Sequence, residues 1–393
     1  MSKADKSIDI YERLAAALDA LPCGFPRTAS GVEMELLKMA FSPTEALVAG
    51  HMSRTLETPA EIAKRVGLDV FDVTVLLKGM IPRRMVRIAS KEMVASPSAL
   101  EGPDVKYRLG HFMVGWYEGN ERILGKKYDE LFERYMVEGG GERILSPRPG
   151  SQGVVPYRGS LKPEWLKREP HLDIDAHWER HERFLVVNCM CMELKERVHG
   201  SHCDVPVKRC GFVGLPPTTP LSENVLTREE AKKLFDEIES YGTMVHTAFY
   251  GFNMSADAPQ FVGTCSCCNC CCGIINSQMR AGLKESAQRS NYRTVKDSKK
   301  CTSCGECVRR CQFYAHTLDG STGGKPVYHR DKCVGCGSCC MGCPNGALHL
   351  EPVSEEEWVR APTSFEDWEE MRLEFLAAEK QRGGQTAAVK KKK

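Results

Sequence analysis

The chain is 393 residues long, with 54 Lys/Arg against 52 Asp/Glu, 42% hydrophobic residues, 27% charged residues and 20 cysteines. That balance is ordinary for a folded globular protein of two or three domains and excludes global disorder. A net charge of +2 makes no whole-chain case for nucleic acid or anionic membrane, and no window reaches the roughly 18 uninterrupted apolar residues of a spanning helix.

Residues 1–29 open with an amphipathic helix that places Ile10, Leu14, Ala17, Leu18 and Leu21 on one side. It lacks the apolar core of a signal peptide, so secretion is not expected. Residues 33–52 read as a helix pair broken at Pro43. In Thr58-Pro59-Ala60-Glu61, Thr58 suits the N-cap, Pro59 the first helical position and Glu61 the return half of a capping box. That helix buries Ile62, Ala63 and Val66 and stops near Gly67; a second runs from Val70 to Lys78. Met85–Ile88 and Val105–Leu109 alternate as paired strands around a loop. Over residues 30–115 this order resembles the winged-helix fold. Its would-be recognition helix carries Asp69 and Asp72 but only Lys78, and residues 30–115 hold eleven Lys/Arg against ten Asp/Glu. Phosphate and base-edge contacts want Arg, Lys, Asn or Gln. A protein-docking or purely structural role is therefore favoured over DNA binding, with Arg83, Arg84 and Arg87 as the wing's cations.

Residues 116–184 read as a connector. Tyr117–Val137 has helical spacing, Ser146–Pro163 is rich in proline and glycine and reads as a loop or extended arm, and Glu164–Glu182 resumes as helix. The last segment sets His177 and His181 four residues apart, but without an H-E-x-x-H frame they read as solvated surface histidines.

Nineteen of the cysteines lie within 189–210 and 265–343; Cys23 is the outlier. In a chain with no leader this clustering predicts thiolates on metal in a reducing cytoplasm, not disulfides. The pattern Cys301-x2-Cys304-x2-Cys307-x3-Cys311 is followed by Cys333-x2-Cys336-x2-Cys339-x3-Cys343-Pro344. Three thiolates two residues apart on a tight loop can each reach a different iron of one cube, while the fourth opens a short helix that leads away. Residues 291–352 thus resemble the bacterial two-cluster ferredoxins. The resemblance implies a βαββαβ fold, one [4Fe–4S] cluster on Cys301, Cys304, Cys307 and Cys343, and a second on Cys333, Cys336, Cys339 and Cys311. Gln312 departs from the usual proline, Cys340 is an extra thiol read as a packing residue, and Leu318–Tyr328 reads as a hairpin joining the halves.

Ten more cysteines remain in 185–290: Cys189, Cys191, Cys203, Cys210, Cys265, Cys267, Cys268, Cys270, Cys271 and Cys272. Six thiols within residues 265–272 are hard to justify as packing, so at least one additional cluster is expected. Two further [4Fe–4S] clusters and one larger or non-cubane cluster both fit, and zinc at one site is an alternative. Between these segments Thr227-Arg-Glu-Glu230 is a capping box for a helix through Tyr241, with Ala231, Leu234, Phe235 and Ile238 on its apolar face. His246 then leads toward the cysteine run, as a neighbour of the metal or as a satisfied buried histidine.

The order of a C-x-C, two further cysteines, a helix, a dense cysteine run and a dicluster ferredoxin resembles the cysteine-rich 4Fe–4S proteins of anaerobic bacteria over about residues 185–352. That likeness implies electron transfer without naming a substrate. Between 280 and 311 nine cations (Arg280, Lys284, Arg289, Arg293, Lys296, Lys299, Lys300, Arg309 and Arg310) face three acids, a collar suited to an acidic flavoprotein or another ferredoxin. Residues 353–393 read as an acidic-aromatic helix followed by a flexible end with a disordered lysine tail. The whole is expected to be an α+β protein: a winged-helix-like domain, a helical connector, a cysteine-rich region and a ferredoxin fold. No nucleotide fingerprint or ordered catalytic triad is present, which favours an electron-transfer subunit of an oxidoreductase, part of a complex, over a stand-alone catalyst. Two alternatives stay open: a redox-sensing winged-helix transcription regulator, and a reductase whose substrate binds a cluster in 189–272.

Overall fold

The computed structural model describes residues 9–88, 105–249, 263–280, 287–320 and 324–390, and it mixes helices and strands as an α+β protein. The chain divides into two units, one formed by Met1–Arg148 with Glu366–Lys393, the other by Pro149–Asn253 with Ala258–Phe365.

In the first unit, local capping signals place the helices. Ser42 and Glu45 form a reciprocal capping box that opens Pro43–Ala49, and Thr58 and Glu61 do the same for Pro59–Val66. Each satisfied cap contributes about 1 kcal/mol by pairing backbone N–H groups that a helix start leaves open. Pro59–Val66 ends at Gly67, whose φ of 74° is the left-handed conformation that glycine takes most readily. Val70–Met80 follows with Asp69 as its N-cap. Strand β1 (Val86–Ile88) pairs antiparallel with β2 (Tyr107–Leu109), in register from Val86 opposite Leu109; the loop expected between them lies outside the described residues. Tyr117–Val137 is not one helix. It is Tyr117–Leu124 and Lys126–Tyr135, broken at Gly125 with φ 69°, and both pieces belong to this unit rather than to a connector.

The unit closes on an aromatic cluster. Phe112 stands 5.0 Å from Phe25 and 4.7 Å from Trp116, and Phe25 stands 5.2 Å from Tyr135. Cys23 is buried there and donates to the carbonyl of Met113 at 2.9 Å; burial pushes its thiol up to about 11, so it is a packing residue. The final helix, Phe365–Lys390, is longer than expected and includes the first of the four terminal lysines; residues 391–393 lie outside the described set. Its Glu369 is buried between Arg108 (2.9 Å) and His111 (2.8 Å). Arg372 is wholly buried and donates to the carbonyls of Pro22, Ile144 and Pro147.

The second unit is built on strands that the sequence reading had only in part. β3 (Gln152–Val155) lies inside the proline- and glycine-rich stretch expected as a loop or extended arm. β7 (Val245–Phe249) pairs antiparallel with β3 and with β8 (Thr264–Cys267), and β9 (Ala287–Gln288) pairs parallel on the other side of β3, which makes β3 an interior strand of a four-stranded sheet in the order β8-β7-β3-β9. Four residues between prolines suffice, because all four residues are buried and the ladder satisfies the backbone. A three-stranded sheet has β4 (Arg183–Asn188) between β5 (Lys208–Leu215) and β6 (Val225–Thr227). The helix Arg228–Ser240, opened by the Thr227/Glu230 capping box, buries Ala231, Phe235 and Ile238. Trp178, Phe184, Phe212 and Met244 complete that core, and Cys268 and Cys271 belong to it.

Two expectations in this unit are corrected. Glu164–Glu182 breaks at Pro170 into Pro163–Arg168, a short turn and Ile174–Glu179, because proline lacks the N–H that would continue the helix. His177 is not a solvated surface residue: it is 5% exposed, 6.3 Å from the ring of Phe184, and burial pushes it down to about 3.

Beyond β9 the elements run strand, helix, strand, strand, helix, strand: β10 (Tyr292–Lys296), Glu306–Arg310, β11 (His316–Asp319), β12 (Lys325–Tyr328), Ser338–Met341 and β13 (Leu348–Pro352). β10 pairs antiparallel with β13, and β11 with β12. The chain ends of this segment therefore lie side by side, and its middle forms the expected hairpin.

Candidate metal centres

The two cysteine motifs of 301–343 are folded alike. Each has a loop residue in the left-handed conformation before its short helix, Gly305 at φ 80° and Gly337 at φ 74°. After each helix the amide four residues beyond the last cysteine returns to its sulfur: Ala315 N donates to Cys311 Sγ and Ala347 N to Cys343 Sγ, both at 3.2 Å. Such N–H···S bonds favour the thiolate over the thiol.

Cys301, Cys304 and Cys307 share one cavity with Cys343, the distant cysteine of the other motif, and Leu348 and Pro326 give it an apolar wall. The space is partly open to solvent. In the second set, burial raises the Cys336 thiol, with Cys339, Cys311 and Cys333 adding to the effect in that order. Thr294 Oγ1 lies 3.4 Å from Cys339 Sγ and 3.8 Å from Cys333 Sγ. Gly335 is needed there, since a Cβ on it would stand 2.2 Å from both Ser290 Oγ and Tyr292 O. His316 is 3% exposed and lies between the two sets. Burial opposes its charge, but Cys307 of one set and Cys339 of the other push the imidazole up to about 10. Cys340 packs against the Leu172, Tyr292 and Leu350 cluster, as expected of a packing thiol.

Residues 300–347 match the family model of the 4Fe-4S dicluster domain. Two sets of four thiols, one around a cavity and one buried to half-buried, have the donor chemistry that such cubes require. The chain is an iron–sulfur protein with [4Fe–4S] clusters as its cofactor and an electron-transfer role. No curated protein and no solved structure matches it. No helix among the described residues is long and apolar enough to cross a membrane.

The other ten cysteines also come together, in two neighbouring groups. β4 leads into Cys189 at the head of the helix Met190–His199, β5 carries Cys210, and β8 carries Cys265 and Cys267. The turn after β8 supplies the remainder of the run. Cys203, Cys268, Cys270 and Cys271 have their sulfurs all within 4.8 Å of one another. The other six form a chain of neighbouring thiols. Cys210 Sγ is 3.0 Å from Cys265 Sγ, Cys265 meets Cys267, Cys267 meets Cys272, Cys272 meets Cys191, and Cys191 meets Cys189. Hydrogen bonds from Cys265 and Cys272 hold Cys267 down at about 6.

Sequence reasoning missed two residues of this centre. Arg209 is 1% exposed and places Nη2 3.2 Å from Cys268 Sγ and Nη1 2.8 Å from Met244 Sδ. Burial disfavours its charge, but Cys189, Cys268 and Cys267 more than offset that, so it stays a cation between the two groups. In sequence it stands directly before the candidate thiol Cys210. Gln312 was noted only as a missing proline. Its Oε1 accepts from the amide of Asn269 at 3.1 Å and its carbonyl accepts from Asn269 Nδ2 at 2.9 Å. Asn269 lies inside the cysteine run and Gln312 follows Cys311, so two side chain–backbone hydrogen bonds clamp the two cysteine regions together.

His246 is buried beside the cysteine run and hydrogen-bonded through one ring nitrogen. Its Nδ1 is 2.9 Å from Ser266 Oγ, and Nε2 faces Glu239 at 3.3 Å. The cationic collar is partly spent within the fold: Arg309 and Arg310 both bond Glu306, and Arg293 donates to the carbonyls of Ser290 and Tyr292. Lys299 and Lys300 remain exposed beside Cys301. Lys284 lies outside the described residues.

Proposed function

We propose that the chain is a redox subunit that relays single electrons through two ferredoxin-type [4Fe–4S] clusters and at least one further metal centre in 189–272. The observation that carries this reading is the crossing of the motifs, with Cys343 sharing the cavity of Cys301, Cys304 and Cys307. When bound, the clusters supply one-electron transfer. The chain's own part is to hold the two sets on a single small fold, donate N–H groups to the sulfurs, and keep water from the pocket of Cys333, Cys336 and Cys339. The bonds between Asn269 and Gln312 support this reading, since they hold the cysteine run of 265–272 against the residue that follows Cys311, and a relay of three or more centres requires such proximity. We place the protein in a reducing cytoplasm, docked to an acidic redox partner such as a flavoprotein or another ferredoxin, with Lys299 and Lys300 as steering charges. The winged-helix likeness of residues 30–115 fits a docking role better than DNA binding. The helix Val70–Met80 leaves Phe71 74% exposed beside Val70 and Val75, an apolar face rather than a cationic one.

The test is a pair of variants in the full chain, purified without oxygen. Cys343→Ser is expected to abolish the cluster of Cys301, Cys304 and Cys307, and Cys311→Ser that of Cys333, Cys336 and Cys339. Each loses about four irons and one of the two EPR signals of the reduced protein. If Cys343→Ser instead removes the signal belonging to its sequence neighbours, the crossed ligation is wrong.

A further inference from the structure

The ten cysteines of 189–272 differ among themselves in a way that bears on what they hold. In Cys203, Cys268, Cys270 and Cys271, all four sulfurs lie within 4.8 Å of one another, and neighbouring pairs stand at 3.6, 3.6 and 3.8 Å. Four thiolates placed tetrahedrally around one ion, with metal–sulfur bonds of about 2.3 Å, have sulfurs about 3.8 Å apart. In a cubane each thiolate sits on its own iron and points outward, so the sulfurs are roughly 6 Å apart. The observed separations fit the single ion and are too short for the cube. They are also too long for a disulfide, whose bond is about 2.05 Å.

The surroundings agree with a closed structural site. Cys268 and Cys271 are 2% and 5% exposed and belong to the core of Phe184, Phe212 and Phe235. Cys270 is exposed and leaves an entry path. Four thiolates around a divalent ion carry a net charge of two minus, and the buried guanidinium of Arg209, 3.2 Å from Cys268 Sγ, offsets part of it. The Asn269 clamp to Gln312 fixes the loop on which three of the four ligands sit.

We propose that Cys203, Cys268, Cys270 and Cys271 bind one tetrahedral divalent transition-metal ion, iron or zinc, and that the six remaining thiols are those available to an additional cluster. The proposal rests on reading 189–272 as a metal centre and does not depend on the clusters at 301–343.

The experiment measures iron, zinc and acid-labile sulfide per chain in the anaerobically purified full-length protein and in Cys270→Ser, where the exposed position spares the core. The expected result is loss of one metal ion with sulfide unchanged; whether zinc or iron falls identifies the ion. Loss of about four irons together with about four sulfides would mean a cube on these ligands, and loss of no metal would mean no site; either overturns the proposal. A second reading needs no variant. Cobalt(II) substituted into the wild-type site should give the intense visible bands of a tetrahedral tetrathiolate, and a weak octahedral spectrum overturns it. Failure of the relay reading shows elsewhere, as absent ferredoxin EPR signals in the wild-type chain.

Discussion

Replacing Arg209 by methionine removes a buried cation while keeping most of its volume. In the metal-loaded protein the thiolates near it would lose their nearest positive side chain, which sits 3.2 Å from Cys268 Sγ with 1% exposure. Breaking one side of a buried charge pair costs about 3–5 kcal/mol. In the metal-free protein Arg209 still faces Cys268, whose thiol Cys203 and Cys271 hold low with help from Arg209 itself; there the substitution costs less, because a thiolate that loses its cation can take up a proton. The metal-loaded state therefore loses more than the metal-free state, and the difference appears as metal affinity. At about 1.4 kcal/mol per decade, affinity should fall by roughly two to four orders of magnitude. Chelator competition on the full-length chain measures it, with thermal unfolding of the metal-free form as the second readout. Affinity within threefold of wild type would refute the assignment of Arg209 as charge compensation. A parallel loss of metal-free stability would show instead that the side chain matters through packing.

Two further outcomes follow from contacts described above. Gln312→Ala removes the acceptor of the Asn269 amide, a partly buried bond whose loss costs about 1–3 kcal/mol; amide exchange at 268–272 should quicken while the iron content and EPR of 301–343 stay unchanged. His111 is buried against Glu369 and burial lowers it from 6.5 to about 4. A lowered folded value means the unfolded chain takes up the proton first, so its contribution is complete above pH 6.5 and drains away as pH falls toward 4. The gap of about 2.5 pH units is worth about 3 kcal/mol in full. Between pH 6.5 and 5.5 the amide protection of 366–372 should fall by up to about tenfold in the wild type and by much less in His111→Gln.

The helix starts at Ser42, Thr58 and Thr227 were legible because a cap needs only the residue itself and its third neighbour. The cysteine motifs at 301–343 were legible for the same reason: three of the four thiols of each motif lie within seven residues, and such spacing suits one cube. β3 was not, since nothing in Gln152–Val155 distinguishes a loop between prolines from a buried strand until β7 and β9 flank it.

The division of the ten thiols shows the same limit more sharply. Composition and clustering by themselves pointed to residues 189–272 as a metal region, because so many thiols in one short run have no packing rationale. Which sulfurs meet was decided by tertiary structure. Cys203 reaches Cys268 across 65 positions, and Cys210 reaches Cys265 across 55, through the meeting of β5 with β8. Arg209 and Gln312 acquired their roles in the same way. Ligand spacing is a property of neighbouring residues, whereas a shared coordination sphere and the charge that balances it depend on segments brought together only by folding.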